Sequence, residues 1–251
     1  MLDPKLASIA ATALDRGLAL LGLSATTRQR EQLLGHVEMM SQWGRVYNLS
    51  AIRDPADMVT LHLLDCLAAV PSLDAWVSRG GVASIVGSAA AEVPPRILDV
   101  GSGAGLPGLV LAIMRPQWAV TCVDTVAKKT GFVRQVAGAL RLPNVQAVHA
   151  RVEAMSAPPG GSGDSGGYDL ITSRAFSSLA EWIRLTRHLV APGGAWVALK
   201  GKVPEDEIRA LPEDARMFHV EPLAVPGLDA ARCLVWIEQG GAACIDRSFQ
   251  S

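Results

Sequence analysis

Four glycines fall within the eight residues Gly101 to Gly108 of the stretch ILDVGSGAGLPG, directly after an apolar run that ends in Asp99 and Val100. Glycine weakens helices and strands, so a cluster at a strand end marks a turn where backbone must approach something closely. Two chemistries compete for it. Gly103 to Gly108 fits the dinucleotide fingerprint G-x-G-x-x-G, and Asp124, 21 residues after Gly103, stands where a ribose-binding acid belongs. The register opposes this reading, because the fingerprint should begin at the strand end and here starts two residues late. Read from Asp99, the pattern is D-x-G-x-G-x-G, which resembles the first motif of Rossmann-like methyltransferases.

Electrostatics separates the two. A pyrophosphate needs bare amides at a helix N-terminus and is repelled by an acid in the position of Asp99. S-adenosylmethionine has no phosphate but carries a cationic amino group and a sulfonium, which a nearby carboxylate favours. On that reading Gly101, Gly103 and Gly105 shape the turn, Asp99 meets the cation directly or through water, and Asp124 accepts ribose hydroxyls. The plainer alternative for Asp99 is a cap on the turn.

The elements that must position these residues are legible around them. Apolar residues recur at helical spacing from Asp3 to about Leu21 and from about Thr26 to Trp43. A third helix is expected after Arg53, with Asp54 capping, Pro55 in the first turn, and Met58, Leu61, Leu64 and Cys66-Leu67 facing inward. The segment 78–96 reads as a linker, which puts a helical extension at 1–90 and a second domain at 91–251. There the pattern changes to short apolar runs between amphipathic segments: Arg96-Val100, Ala119-Asp124, Val145-His149, Asp169-Thr172, Ala195-Leu199, Phe218-Leu223 and Cys233-Ile237. Uniformly apolar strands separated by helices imply an α/β doubly wound, mostly parallel sheet covered on both faces. In such a sheet a ligand binds at the carboxyl ends of the strands, where the glycine turn sits. The glycine- and proline-rich stretch 156–167 has loop composition.

A chain of 251 residues, about half of them hydrophobic, can bury one substantial core. Its net charge of -1 advertises neither nucleic acid nor membrane, so any polyanion site must be a local patch. Four scattered cysteines form no C-x-x-C pair and no metal set, the N-terminus has no signal-peptide pattern, and reduced thiols in the cytoplasm are expected. No apolar run is read as reaching the roughly 20 residues of a membrane span.

Beyond the first motif, the segments WGRVYNLSAIRDPADM, HLLDCLAAVP, VDTVAKKTGFVRQV, RVEAM, SRAFSSL, LKGKVPEDEI and LDAARCLVWI follow in order. With LDVGSGAGLPG they resemble the RsmG (GidB) family of bacterial methyltransferases, over nearly the whole chain from Trp43 onward. The resemblance implies methyl transfer from S-adenosylmethionine to N7 of a guanine in 16S ribosomal RNA, by a monomer that uses no metal. It implies cofactor contacts at Gly101 and Leu106, at Val152 and Glu153 beside the adenine, and at Arg174. Three departures from the family pattern stand out: the long linker before Pro94, the loop at 156–167, and Leu61, where a basic residue is usual.

Arg174 follows a strand end, where it is placed to meet substrate or to form a surface salt bridge. Lys200 and Lys202 also follow one, and a basic pair there suits a phosphate. Arg174 or Lys200 could also hold guanine O6. Lys128 and Lys129, like Arg184, Arg187 and His188, read more simply as solvated charge. Trp43 could stack on RNA or pack in the core, and His62, on an apolar helix, reads as a satisfied core histidine.

Overall fold

The computed structural model describes residues 3–47, 52, 54–78, 94–160 and 166–240. Three helices come first: α1 (Pro4–Leu20), α2 (Thr27–Tyr47) and a long helical stretch, α3 (Pro55–Trp76). The Asp3 carboxylate accepts from the amides of Lys5 and Leu6, and Asp54 does the same for Ala56 and Asp57, each followed by a proline whose missing N–H costs nothing at a helix start. Contrary to the expectation from sequence, α3 is, at 22 residues and mean hydropathy 1.3, long and apolar enough to cross a membrane. Most of it is buried inside the fold, as befits a core helix. Its middle, Val59–Leu64, winds as a π-helix. The wider turn rotates Leu61 out of the core, where its spacing had placed it, while Met58, Leu64, Cys66 and Leu67 stay buried.

The sheet strands are β1 (Arg96–Val100), β2 (Ala119–Asp124), β3 (Val145–His149), β4 (Tyr168–Arg174), β5 (Val190–Lys200), β6 (Ala215–Pro222) and β7 (Cys233–Gln239). Their order is β3-β2-β1-β4-β5-β7-β6. The pairs from β3 to β5 are parallel, and β7 runs antiparallel between β5 and β6. Connecting helices are α4 (Gly108–Met114), α5 (Ala127–Ala139), α6 (Leu179–Thr186) and α7 (Glu205–Arg209). Successive strand residues point to opposite faces, so Ile97 joins one core and Leu98 another.

Among the described residues, the helices before β1 have no core of their own. Leu14, Leu33, Val37 and Leu63 share a cluster with Ile97, Leu111 and Val120, and Trp76 stacks on Trp236 with ring centroids 6.3 Å apart. Each fully buried leucine contributes roughly 1.5 to 3 kcal/mol. Side-chain amides tie α2 to the sheet layer: Gln29 donates to the carbonyls of Ile113 and Met114 at the end of α4, and Gln32 to that of Leu140 just after α5. These carbonyls have no partner within their own helices, so each bond satisfies a group that would otherwise be bare. Cys66, Cys122 and Cys233 are free and buried. Residues 79–93 of the linker expected at 78–96, residues 161–165 of the loop expected at 156–167, Asn48 and Cys244 lie outside the described residues.

Candidate active site

A cavity of about 610 Å³ opens at the carboxyl ends of β1, β4 and β5, walled on its far side by α3 and by the residues that lead into β7. Gly101, Gly103 and Leu106 line it from the first turn, Arg174 from the end of β4 and Lys200 from the end of β5. Gly101, Gly103 and Gly105 all have positive φ, the conformation that only glycine adopts without strain. Gly105 lies under the turn, against Leu109.

Asp99 does not meet the cavity. It is fully buried, and its Oδ2 accepts from the Gly108 amide at 2.8 Å, at the start of α4. Burial pushes its carboxyl up to about 7. The capping role is therefore the one its Oδ2 shows, while Oδ1 is buried without a hydrogen-bond partner. Asp124 is also buried, with Oδ2 accepting from the Gly103 amide at 3.0 Å and Oδ1 from Val126 at 2.8 Å. An ionised carboxylate has about four acceptor sites, so two remain. Val152 and Glu153 are not brought to the cavity wall: they follow β3, on the far side of Asp124, with Val152 buried and Glu153 exposed and paired to Arg151 at 2.6 Å.

The far wall holds a network that the spacing of single motifs could not show. Asp65, on α3 and only 5% exposed, accepts from Arg174 Nη1 at 3.0 Å on one oxygen and from Arg232 Nε at 2.7 Å on the other. Arg174 also donates to the Leu61 carbonyl at 3.3 Å and approaches His62 Nδ1 at 3.4 Å. Burial, with the neighbouring guanidinium second, pushes His62 down to about 4. His62 thus stays neutral beside a permanent cation. A histidine and an acid three residues apart in the apolar middle of α3 were the available signal for Asp65 itself, and none was available for its pairing with Arg232.

Lys200 lines the cavity, but its ammonium lies 3.0 and 2.9 Å from the two oxygens of Glu207. Glu207 also accepts from the Leu179 amide, so it fixes the lysine against the start of α6. Lys129 reaches Asp124 at 3.8 Å. Arg184 pairs with Glu181, Arg187 with Asp214, and His188 meets the Met155 carbonyl, all on exposed surface. Lys202 is exposed. Trp43 packs edge-on against Phe132 at 5.3 Å, a core contact rather than an RNA platform.

His36 on α2 is fully buried and donates from Nε2 to the Ala104 carbonyl at 2.8 Å, which fastens the glycine turn to the helical layer. Burial pushes it down to about 4. An unfolded histidine takes its proton near 6.5, so His36 and His62 stabilise the fold fully above that pH and lose the contribution as pH falls toward 4. Asp99 acts in the opposite sense, its contribution fading as pH rises from 3.8 through about 7. Two histidines against one carboxyl leave a net loss on the order of 1 kcal/mol per pH unit on acidification through this window. His36→Gln keeps a donor for Ala104 without a titrating ring and is expected to flatten that slope, read from urea midpoints between pH 7.5 and 4.5. An unchanged slope would exclude His36 as a source.

A sheet of this order, with its last strand inserted antiparallel and a glycine turn after β1, has the Rossmann-like fold of S-adenosylmethionine-dependent methyltransferases. The sequence profile of GidB, rRNA small subunit methyltransferase G, matches residues 29–235. The chain belongs to this family. A protein called ribosomal RNA small subunit methyltransferase G from Polaromonas naphthalenivorans is 52% identical over 221 residues, 88% of this chain and 92% of its own length. One of the same name from Methylibium petroleiphilum is 47% identical over 231 residues, 92% and 95% of the two chains. Among solved structures, a ribosomal protein L11 methylase from Lactobacillus delbrueckii subsp. bulgaricus aligns with TM-score 0.46 and 11% identity, over 76% of this chain and 89% of its own.

Proposed function

We propose that the protein transfers a methyl group from S-adenosylmethionine to N7 of a guanine in the 16S ribosomal RNA of the small subunit. The observation that carries this is the convergence, on one cavity at the strand ends, of the glycine turn with Arg174 and Lys200 from segments separated in sequence. The names of the relatives point to the same class of substrate.

The chain's residues fit the methyl donor. The turn at Gly103 leaves a cradle open, since a Cβ there would meet nothing nearer than the Gly101 carbonyl at 3.9 Å. Asp124, beside that turn, keeps free acceptor sites for ribose hydroxyls, whereas Val152 and Glu153, expected beside the adenine, lie off the cavity wall. When bound, S-adenosylmethionine supplies a methyl group on a cationic sulfur, and a purine nitrogen with a lone pair and no proton can take it without a base. The protein's share is then positioning, which can be worth roughly 7 to 11 kcal/mol. Arg174, held at three points on α3, offers a guanidinium that keeps its charge and its place at every working pH. Lys200, fixed by Glu207, offers a second donor for guanine O6. His62, neutral beside Arg174, has no acidic proton to deliver, and N7 has none for it to take. Among the described residues no three acidic, histidine or cysteine side chains converge as a metal site.

Calorimetry is expected to show S-adenosylmethionine binding and no NADH binding. Asp124→Asn should weaken the former by about 1 to 3 kcal/mol, the worth of charge-assisted hydrogen bonds. Tight NADH binding would reject the cofactor assignment. Tritiated methyl transfer to small subunits from cells lacking this protein, with the labelled base mapped, tests the whole reading. Label at guanine N7 supports it, and label elsewhere or none refutes it.

A further inference from the structure

We infer that Phe176 is the platform on which the target purine stacks, a specificity residue for the reaction proposed above and resting on that reading. Among the described side chains of Phe, Tyr and Trp it is the only exposed one, at 40%. The other exposed large hydrophobics, Ile9, Leu20, Val126 and Val203, are aliphatic. An aromatic ring left in water is explained by packing only when something covers it.

The backbone places this ring deliberately. Ala175, which lines the cavity between Arg174 and Phe176, has φ 54. That left-handed conformation costs a residue with a Cβ roughly 1 to 2 kcal/mol and persists only where the surroundings enforce it. It turns the chain out of β4 and sets the Phe176 ring over the first residue of the glycine turn. A Cβ on Gly101 would lie 2.6 Å from the ring, so the absence of a side chain at Gly101 makes the seat. The ring is thus seated on Gly101 and otherwise exposed, directly after Arg174 and Ala175, which with Gly101 line the cavity.

Enzymes that modify a base take it out of its stack where the groove denies access, and unstacked bases of RNA are met by aromatic side chains and arginine planes. Phe176 and Arg174, two residues apart and straddling a strained turn, supply both. The purine that accepts a methyl at a ring nitrogen becomes cationic, and the face of an aromatic ring attracts a cation. Stacking here therefore strengthens as charge moves onto the base, so it raises the rate of the chemical step as well as binding.

The test uses the full chain, S-adenosylmethionine and undermethylated small subunits. Phe176→Leu is expected to lower kcat/KM about tenfold to a hundredfold, with cofactor affinity within twofold of the parent. Phe176→Tyr should stay within threefold of the parent. Pentafluorophenylalanine at position 176, nearly the same in shape but with the charge of its ring face reversed, should lower kcat by about tenfold. A merely structural role would leave that last rate unchanged. Parental kcat with the fluorinated ring, or a loss of cofactor affinity that accounts for the whole Phe176→Leu effect, overturns the inference while leaving the methyl transfer intact. A parent protein that methylates no guanine overturns both.

Discussion

Asp65→Ala is expected to destabilise the fold by about 2 to 4 kcal/mol and to reduce single-turnover methylation by a hundredfold or more. Breaking a buried ion pair by removing one partner costs about 3 to 5 kcal/mol because the other charge is left uncompensated. Here one carboxylate serves two guanidiniums, Arg174 and Arg232, but their side chains retain 21% and 26% exposure, and water offsets part of the loss. The functional loss follows from freedom rather than charge: without Asp65, the Arg174 guanidinium keeps only the Leu61 carbonyl and the His62 ring as anchors. Denaturant midpoints at an unchanged slope give the first quantity, and methyl transfer from preformed complexes below the melting range gives the second. Asp65→Asn, which keeps the shape and one acceptor, should fall between. A folded Asp65→Ala protein within a few fold of parental rate would show that Arg174 does not need its anchor.

Gly105→Ala is expected to cost about 2 to 5 kcal/mol through two separate effects. Its φ of +77 is one that alanine adopts at a penalty, and the new methyl would sit 2.3 Å from the Cδ1 of Leu109, itself fully buried. The amide of Leu109 bonds to the Gly105 carbonyl, so the clash acts on the first turn of α4 and displaces Leu106 from the cavity wall. Cofactor affinity should drop at least tenfold in whatever fraction remains folded. Gly103→Ala isolates the conformational effect, since its φ is +57 but its methyl meets only the Gly101 carbonyl, at an ordinary contact distance of 3.9 Å. It should therefore lose only about 1 to 2 kcal/mol. Equal stability for the two variants would mean that Leu109 moves aside freely, contrary to the packing described.

The strands that proved easiest to read in sequence were those buried on both faces. β1 and β2 have the bounds expected of them, because a central parallel strand is apolar along its length and stops abruptly at a polar or glycine residue; β3 has them too, although it lies at a sheet edge and is only partly buried. β5 begins at Val190 rather than Ala195, since Pro192, Gly193 and Gly194 carry the composition of a turn while the chain is already paired to β4 through Tyr168. β6 begins at Ala215 rather than Phe218 because, at the sheet edge, its residues are only half buried and show no apolar run. The glycine turn, Arg174 and Lys200 were legible as strand-end residues. Asp65 and Arg232 were not, since what gives them meaning is a contact across 167 residues that no local pattern encodes. Glu207 was missed for the related reason that an acid in a charged, helical stretch looks like ordinary surface until its lysine is seen.

The place of β7 between β5 and β6 bears on how the protein is made. A chain leaves the ribosome in order, and β6 emerges before the strand that must separate it from β5. It has no partner in the sheet until β7 arrives, and the wall of the cavity that carries Arg232 arrives with it. Between the emergence of Asp65 and that of Cys233, synthesis at about 5 to 20 residues per second takes roughly 10 to 30 s. Through that interval α3, apolar enough to pass for a membrane helix, waits without Trp236 to cover Trp76. A nascent chain therefore has the glycine turn long before it has a site around it.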